Sequence, residues 1–105
     1  MPYTVEVLPT AREELAALPK NAQRKIAAKI DSLKEDPRPP DAKILKATAE
    51  RLWRVRAGDY RIVYSIEDNR LVVLVIRVAN RRDVYEGLEV LARGLVVWRG
   101  KQGRA

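Results

Sequence analysis

The 105-residue sequence contains no cysteine and no histidine. Without cysteine, disulfides and thiolate zinc sites are excluded, and nothing points to an oxidising compartment. Without histidine, Ser–His and Cys–His nucleophile pairs are lost, together with imidazole metal ligands and the usual near-neutral proton shuttle. Any catalysis must rest on other groups. No apolar run approaches the roughly 20 residues that a membrane helix needs. The opening stretch, MPYTVEVLPTAREELAALP, also lacks a basic region followed by an apolar one. The expectation is a cytoplasmic protein with no membrane partner. Carboxylates are not gathered either: Asp59, Glu67 and Asp68 fall in predicted turns, without the clustering of a magnesium or paired-carboxylate centre. No metal and no cofactor is expected.

A chain of this length holds one small core. Nearly half its residues are hydrophobic (47%) and a third are charged (33%), a globular balance that argues against disorder. The net charge of +7 is unevenly spread. Residues 1–50 carry nine basic and eight acidic side chains, residues 51–82 eight and three, and residues 83–105 four and three. The excess therefore sits in the middle segment, as expected for a surface that meets a polyanion such as nucleic acid.

Tyr3 to Leu8 alternates and is β-prone, so it reads as a first strand ending at Pro9. Thr10 and Glu13 have the spacing of a helix capping box, which predicts a short helix to Leu18. Pro19 restarts a second helix that continues to about Glu35, with Ala22, Ile26, Ile30 and Leu33 as its apolar stripe. Arg24, Lys25, Lys29 and Lys34 lie off that stripe and read as a solvated face. The prolines of Asp36-Pro37-Arg38-Pro39-Pro40 end the helical half. Leu52 to Ala57, Tyr60 to Glu67 and Leu71 to Val78 then predict an antiparallel meander, turned at Gly58-Asp59 and Asp68-Asn69. The third strand, LVVLVIRV, has the composition of one covered on both faces. After Asn80 the spacing of Val84, Leu88 and Leu91 predicts a helix that Gly94 stops, followed by a short apolar patch and a basic tail. The fold class is α+β: strand, helical hairpin, three-stranded meander, closing helix.

The period of two puts Arg54 and Arg56 on one face of their strand, opposite Trp53, Val55 and Ala57. In the next strand Arg61, Val63 and Ser65 oppose Tyr60, Ile62, Tyr64 and Ile66, so the tyrosines read as core. A two-residue turn sets Ala57 against Tyr60 and Arg56 against Arg61. Two like charges side by side are unfavourable unless an anion lies between them. The plain alternative is a solvated arginine face whose stems cover apolar surface. Arg81 and Arg82 follow the long strand, with Tyr85 shortly after.

This order of elements, and above all WRVRAGDYRIVY followed by an apolar strand and RRDVY, resembles the RelE branch of the RelE/ParE toxin superfamily over residues 3 to about 90. The resemblance implies a toxin domain over residues 1–90, with residues 91–105 a helix end and tail. It further implies the toxin of a type II toxin–antitoxin pair, a metal-independent endoribonuclease that cuts messenger RNA on the ribosome by attack of the RNA's own 2′-hydroxyl. It puts Arg56, Arg61, Arg81 and Tyr85 in the catalytic centre and Lys43, Lys46, Arg54 and Arg82 in RNA binding. The implied partners are an acidic RelB-like antitoxin, the ribosome with its mRNA, and promoter DNA only through the toxin–antitoxin complex. The chain departs from the pattern in three places. Arg54 and Arg56 stand where lysines are common, and arginine does not give up its proton, so a general-base role does not pass to them. Asn80 stands where a histidine is frequent, and Ala47 where a glycine is. The ParE branch shares the fold but binds DNA gyrase without cutting anything, and supplies the alternative reading.

Overall fold

Thr4–Val7 forms strand β1 in the computed structural model, which describes residues 2–45 and 51–102. Pairing continues one residue further, because the Leu8 N–H donates to the Val75 carbonyl at 2.9 Å. Helix α1, Pro9–Ala16, then starts with proline in its first turn, where a missing N–H costs nothing. The expected Thr10–Glu13 capping box does not form: extended Leu8 is the N-cap, with no side-chain cap bond, and Thr10 already lies inside the helix. Helix α2, Lys20–Ser32, has Pro19 as its N-cap. Its last turn loosens through Lys34 N–H to Asp31 O and Glu35 N–H to Ser32 O, which accounts for the predicted end near Glu35. Ala22, Ile26, Ile30 and Leu33 are buried, as the spacing requires.

Strands β2 (Lys43–Leu45), β3 (Leu52–Ala57), β4 (Tyr60–Glu67) and β5 (Val72–Asn80) complete a five-stranded sheet in the order β1-β5-β4-β3-β2. β1 runs parallel to β5 and the other pairs are antiparallel. The meander matches the sequence reading. β2 does not, since three residues between a proline-rich segment and residues 46–50 are too few to show alternation. The β4–β5 turn is longer than Asp68-Asn69: Leu71 sits within it at φ 54, so β5 begins at Val72.

Both faces of the sheet are covered. Ala11, Ile26, Ile30 and Leu33 of the helical hairpin pack on Val55, Ile62, Tyr64, Val73 and Val75. Leu88, Ala92 and Leu95 pack with Val84 on Leu52, Val63, Leu74 and Ile76. Each fully buried Val, Leu or Ile contributes about 1.5–3 kcal/mol. The second cover is helix α3, Leu88–Gln102, and here the sequence reading is corrected twice. Residues 81–87 form successive turns, so the helix begins only after Gly87 at φ 63. Gly94 does not stop it, because burial of Leu95 one residue later holds the next turn on the sheet. The residues expected to be a helix end and tail from position 91 are thus continuous helix to Gln102.

A β-bulge breaks the β4–β5 register: Val63 faces Arg77 and Tyr64 faces Val75, leaving Ile76 without an opposite number. Strict alternation would send Arg77 into the core beside Val73 and Val75. The extra residue turns it to the face of Val63 instead.

Candidate functional site

The Gly58-Asp59 turn, with Gly58 at φ 63, sets Ala57 against Tyr60 and Arg56 against Arg61, as the two-residue loop predicts. On the other side of β3, Lys43 of β2 faces Arg54. Lys43, Arg54, Arg56 and Arg61, with Pro40 and Asp41, line a cavity of about 570 Å³. Asp59, Asn80, Arg81, Arg82 and Asp83 line a smaller one of about 340 Å³. The Arg81 N–H donates to the Asp59 carbonyl at 2.9 Å, which ties the end of β5 to the β3–β4 turn.

Arg61 is the centre of this charge field. Its Nη1 donates to the carbonyls of Gly58 at 3.1 Å and Tyr60 at 3.0 Å, so the guanidinium is folded back on its own turn. Its pKa is pushed down, first by partial burial and then by the charges of Arg54, Arg56 and Arg81, while Tyr85 opposes the shift. Arg54, Arg56, Arg81 and Tyr85 are thereby each within electrostatic reach of Arg61. Arg54 adds a free donor: its Nε is buried without a hydrogen-bond partner among the described residues. An unmet buried donor costs about 1–3 kcal/mol, which a bound anion would recover. Tyr85 is 51% exposed and lies in the turns before α3 rather than on a helix. Arg82 is exposed, and its N–H donates to Asn80 Oδ1 at 3.0 Å, so the asparagine at the departure from the family pattern shapes the loop. Lys46 lies outside the described residues.

Asp41 is a residue the sequence reading missed. One carboxylate oxygen accepts from Lys29 Nζ at 3.1 Å and the other from the Arg56 N–H at 3.3 Å, beyond the end of β2. Burial works to raise its pKa, but Lys29 and the Arg56 N–H outweigh burial and hold it below its ordinary value, so it stays ionised. Lys29 is therefore more than solvated charge: it orients a carboxylate on the wall of the arginine cavity. No local signal marks Asp41, whose partners are 12 and 15 residues away.

A guanidinium cluster of this kind has the chemistry to receive a polyanion, and the phenol of Tyr85 is a group able to stack or to exchange a proton. The class of protein is shown by likeness to known families and structures. Residues 5–85 match the family described as ParE toxin of type II toxin–antitoxin system, parDE. Toxin RelG of Mycobacterium tuberculosis is 34% identical over 88 residues, which span 81% of this chain and 98% of that protein. Among solved structures, the archaeal RelE–RelB complex from Pyrococcus horikoshii contains a chain similar at TM-score 0.67 and 30% identity, covering 77% of this chain and 97% of that one. The toxin–antitoxin complex RelBE2 of M. tuberculosis gives 0.69 and 30%, over 77% and 100%. The chain belongs to the RelE/ParE superfamily of type II toxins and is RelE-like.

Proposed function

We propose that this toxin is a ribosome-dependent endoribonuclease that cleaves mRNA in the cytoplasm without a metal. The observation that carries the reading is the grouping of Arg54, Arg56, Arg61, Arg81 and Tyr85 around one charge centre, with the Arg54 Nε donor unmet. In this reading the 2′-hydroxyl gives its proton to solvent as it attacks the adjacent phosphorus, the bond to the 5′-oxygen breaks, that oxygen takes up a proton, and the products are a cyclic phosphate and a 5′-hydroxyl. Arg56, Arg61 and Arg81 stabilise charge developing on the phosphoryl oxygens, the term that dominates many such reactions. Lys43, Lys46, Arg54 and Arg82 hold the strand. Arginine cannot accept the 2′-hydroxyl proton. Tyr85 stacks on a base or takes part in proton transfer, and the ribosome supplies the alignment of the RNA.

An acidic RelB-like antitoxin is the expected partner, since structural relatives are toxin–antitoxin complexes and the basic surface invites an acidic chain. Promoter DNA is then reached through that complex. The second reading, a gyrase inhibitor that cuts nothing, has the ParE description of the matched family in its favour. One experiment separates the two: induce the toxin, map new mRNA ends on ribosomes, and assay gyrase supercoiling with purified protein. New ends inside codons with supercoiling intact support the nuclease; blocked supercoiling with mRNA intact establishes the alternative.

A further inference from the structure

Arg77 is the lone charge in the apolar run of β5 and none of the roles above uses it. The bulge at Ile76 turns it out of the helical-hairpin core toward the turns that precede α3. There its Nη1 donates to the carbonyl of Val84 at 3.1 Å and to that of Glu86, the residues on either side of Tyr85. Its Nε donates to Glu14 Oε2 at 3.3 Å, and Glu14 Oε1 accepts the Val78 N–H at 2.9 Å. That N–H belongs to the part of β5 beyond the end of β1, whose pairing stops at Val75. A carboxylate on α1 thus replaces the absent edge strand and orients a guanidinium, both partners being only 16% and 25% exposed as side chains.

We propose that Arg77, oriented by Glu14, is a positioning residue that fixes Tyr85. Gripping the backbone on both sides of one residue restrains that residue more directly than any contact to its ring, which stays exposed. Val84, fully buried, is the other anchor of the segment. The same grip sets the path from Arg81 and Arg82 to α3. A lysine at position 77 keeps the charge and the attraction to Glu14 but lacks the planar fork that spans two carbonyls and a carboxylate. The catalytic consequence rests on the nuclease reading above; the mechanical one does not.

The test therefore has two arms, both with the full chain. In the first, hydrogen exchange is followed by mass spectrometry in Arg77→Lys and Glu14→Gln, the latter retaining an acceptor for Val78 while losing its charge. Exchange should quicken in the peptide spanning Asp83 to Leu88 and stay unchanged in β3 and α2. Unchanged exchange at Asp83 to Leu88 overturns the clamp, whatever the protein cleaves. In the second arm, single-turnover cleavage is measured on saturating ribosomes. Arg77→Lys should cut the rate roughly ten- to a hundredfold, the scale of a small misplacement of a reacting group, with ribosome affinity unchanged. Added to Tyr85→Ala, which removes ring and hydroxyl together, it should cost much less than alone, whereas independent effects multiply. Multiplying effects overturn the role toward Tyr85. A wild-type protein that cleaves nothing overturns the nuclease reading alone, leaving the exchange arm to judge the clamp.

Discussion

Arg56 and Arg61 are held opposite each other by a two-residue turn, an arrangement that disfavours the free protein and favours one with an anion between them. In the proposed site such a pair gives up stability for binding. Under the proposed nuclease function, Arg61 and Arg81 should matter most to the chemical step, because a guanidinium keeps its charge and offers a planar fork to phosphoryl oxygens. Replacing either by Ala should lower single-turnover cleavage by roughly a hundredfold, the scale of losing one oxyanion donor, with the thermal midpoint little changed. Folded variants that cleave at the wild-type rate would remove both from the site. The arginine faces were legible in sequence because alternation and turn length act over a few residues. Asp41 and Glu14 were not, because each finds its role through an N–H at a sheet edge supplied by a distant strand.

Among the elements, α3 departs most from its sequence signal. Gly94 reads locally as a stop, yet the chain stays helical through it, since Leu88, Ala92 and Leu95 bury a stripe on the sheet that outweighs one poor helix former. Gly94 is exposed, and a Cβ built on it meets nothing within 4 Å. Gly94→Ala should therefore stabilise the protein by about 0.5–1 kcal/mol, read as a higher denaturant midpoint with an unchanged slope. A lower midpoint would mean that this position is not regular helix. The start of the helix was equally hidden, because the carbonyls held by Arg77 keep residues 84–86 in turns where apolar spacing alone predicts helix.

At the scale of the molecule, one carboxylate joins three parts of the chain at the end of the sheet away from Arg61. Asp68 of the β4–β5 turn accepts from the Tyr3 hydroxyl at 2.7 Å and from both terminal nitrogens of Arg38, at 3.1 and 2.7 Å. Arg38 also lies over the Trp53 ring, 5.3 Å from its centre. Arg38 first and Tyr3 second hold the Asp68 pKa down to about 2, below its value in an unfolded chain, so unfolding takes up a proton at low pH. The stability it provides is present above about pH 4 and is lost as pH falls from there through about 2. Denaturant midpoints of wild type and Asp68→Asn should differ at pH 6, draw together below about pH 4 and converge only once the pH is below the folded pKa of about 2. A gap that persists in acid would assign the effect to packing. The charge excess in residues 51–82 belongs to this scale too. An acidic protein encoded beside the toxin should copurify with it and bind less tightly as salt rises. A toxin harmless to cells when expressed alone, with no acidic companion, would oppose that expectation.

By itself the sequence determined the α+β class, the buried stripe of α2, the three-stranded meander and its first hairpin register, and the arginines that share a face. Each of these follows from interactions between residues a few positions apart, where backbone period and turn chemistry leave little choice. Only the tertiary structure decided that β1 joins β5 in parallel, that β2 is a strand, that α3 begins at Leu88, and that Glu14 and Arg77 meet across 63 positions. Those outcomes depend on which distant segment covers a free sheet edge or an apolar face. Local pattern is blind to that choice, and folding settles it through burial and the pairing of buried backbone N–H groups.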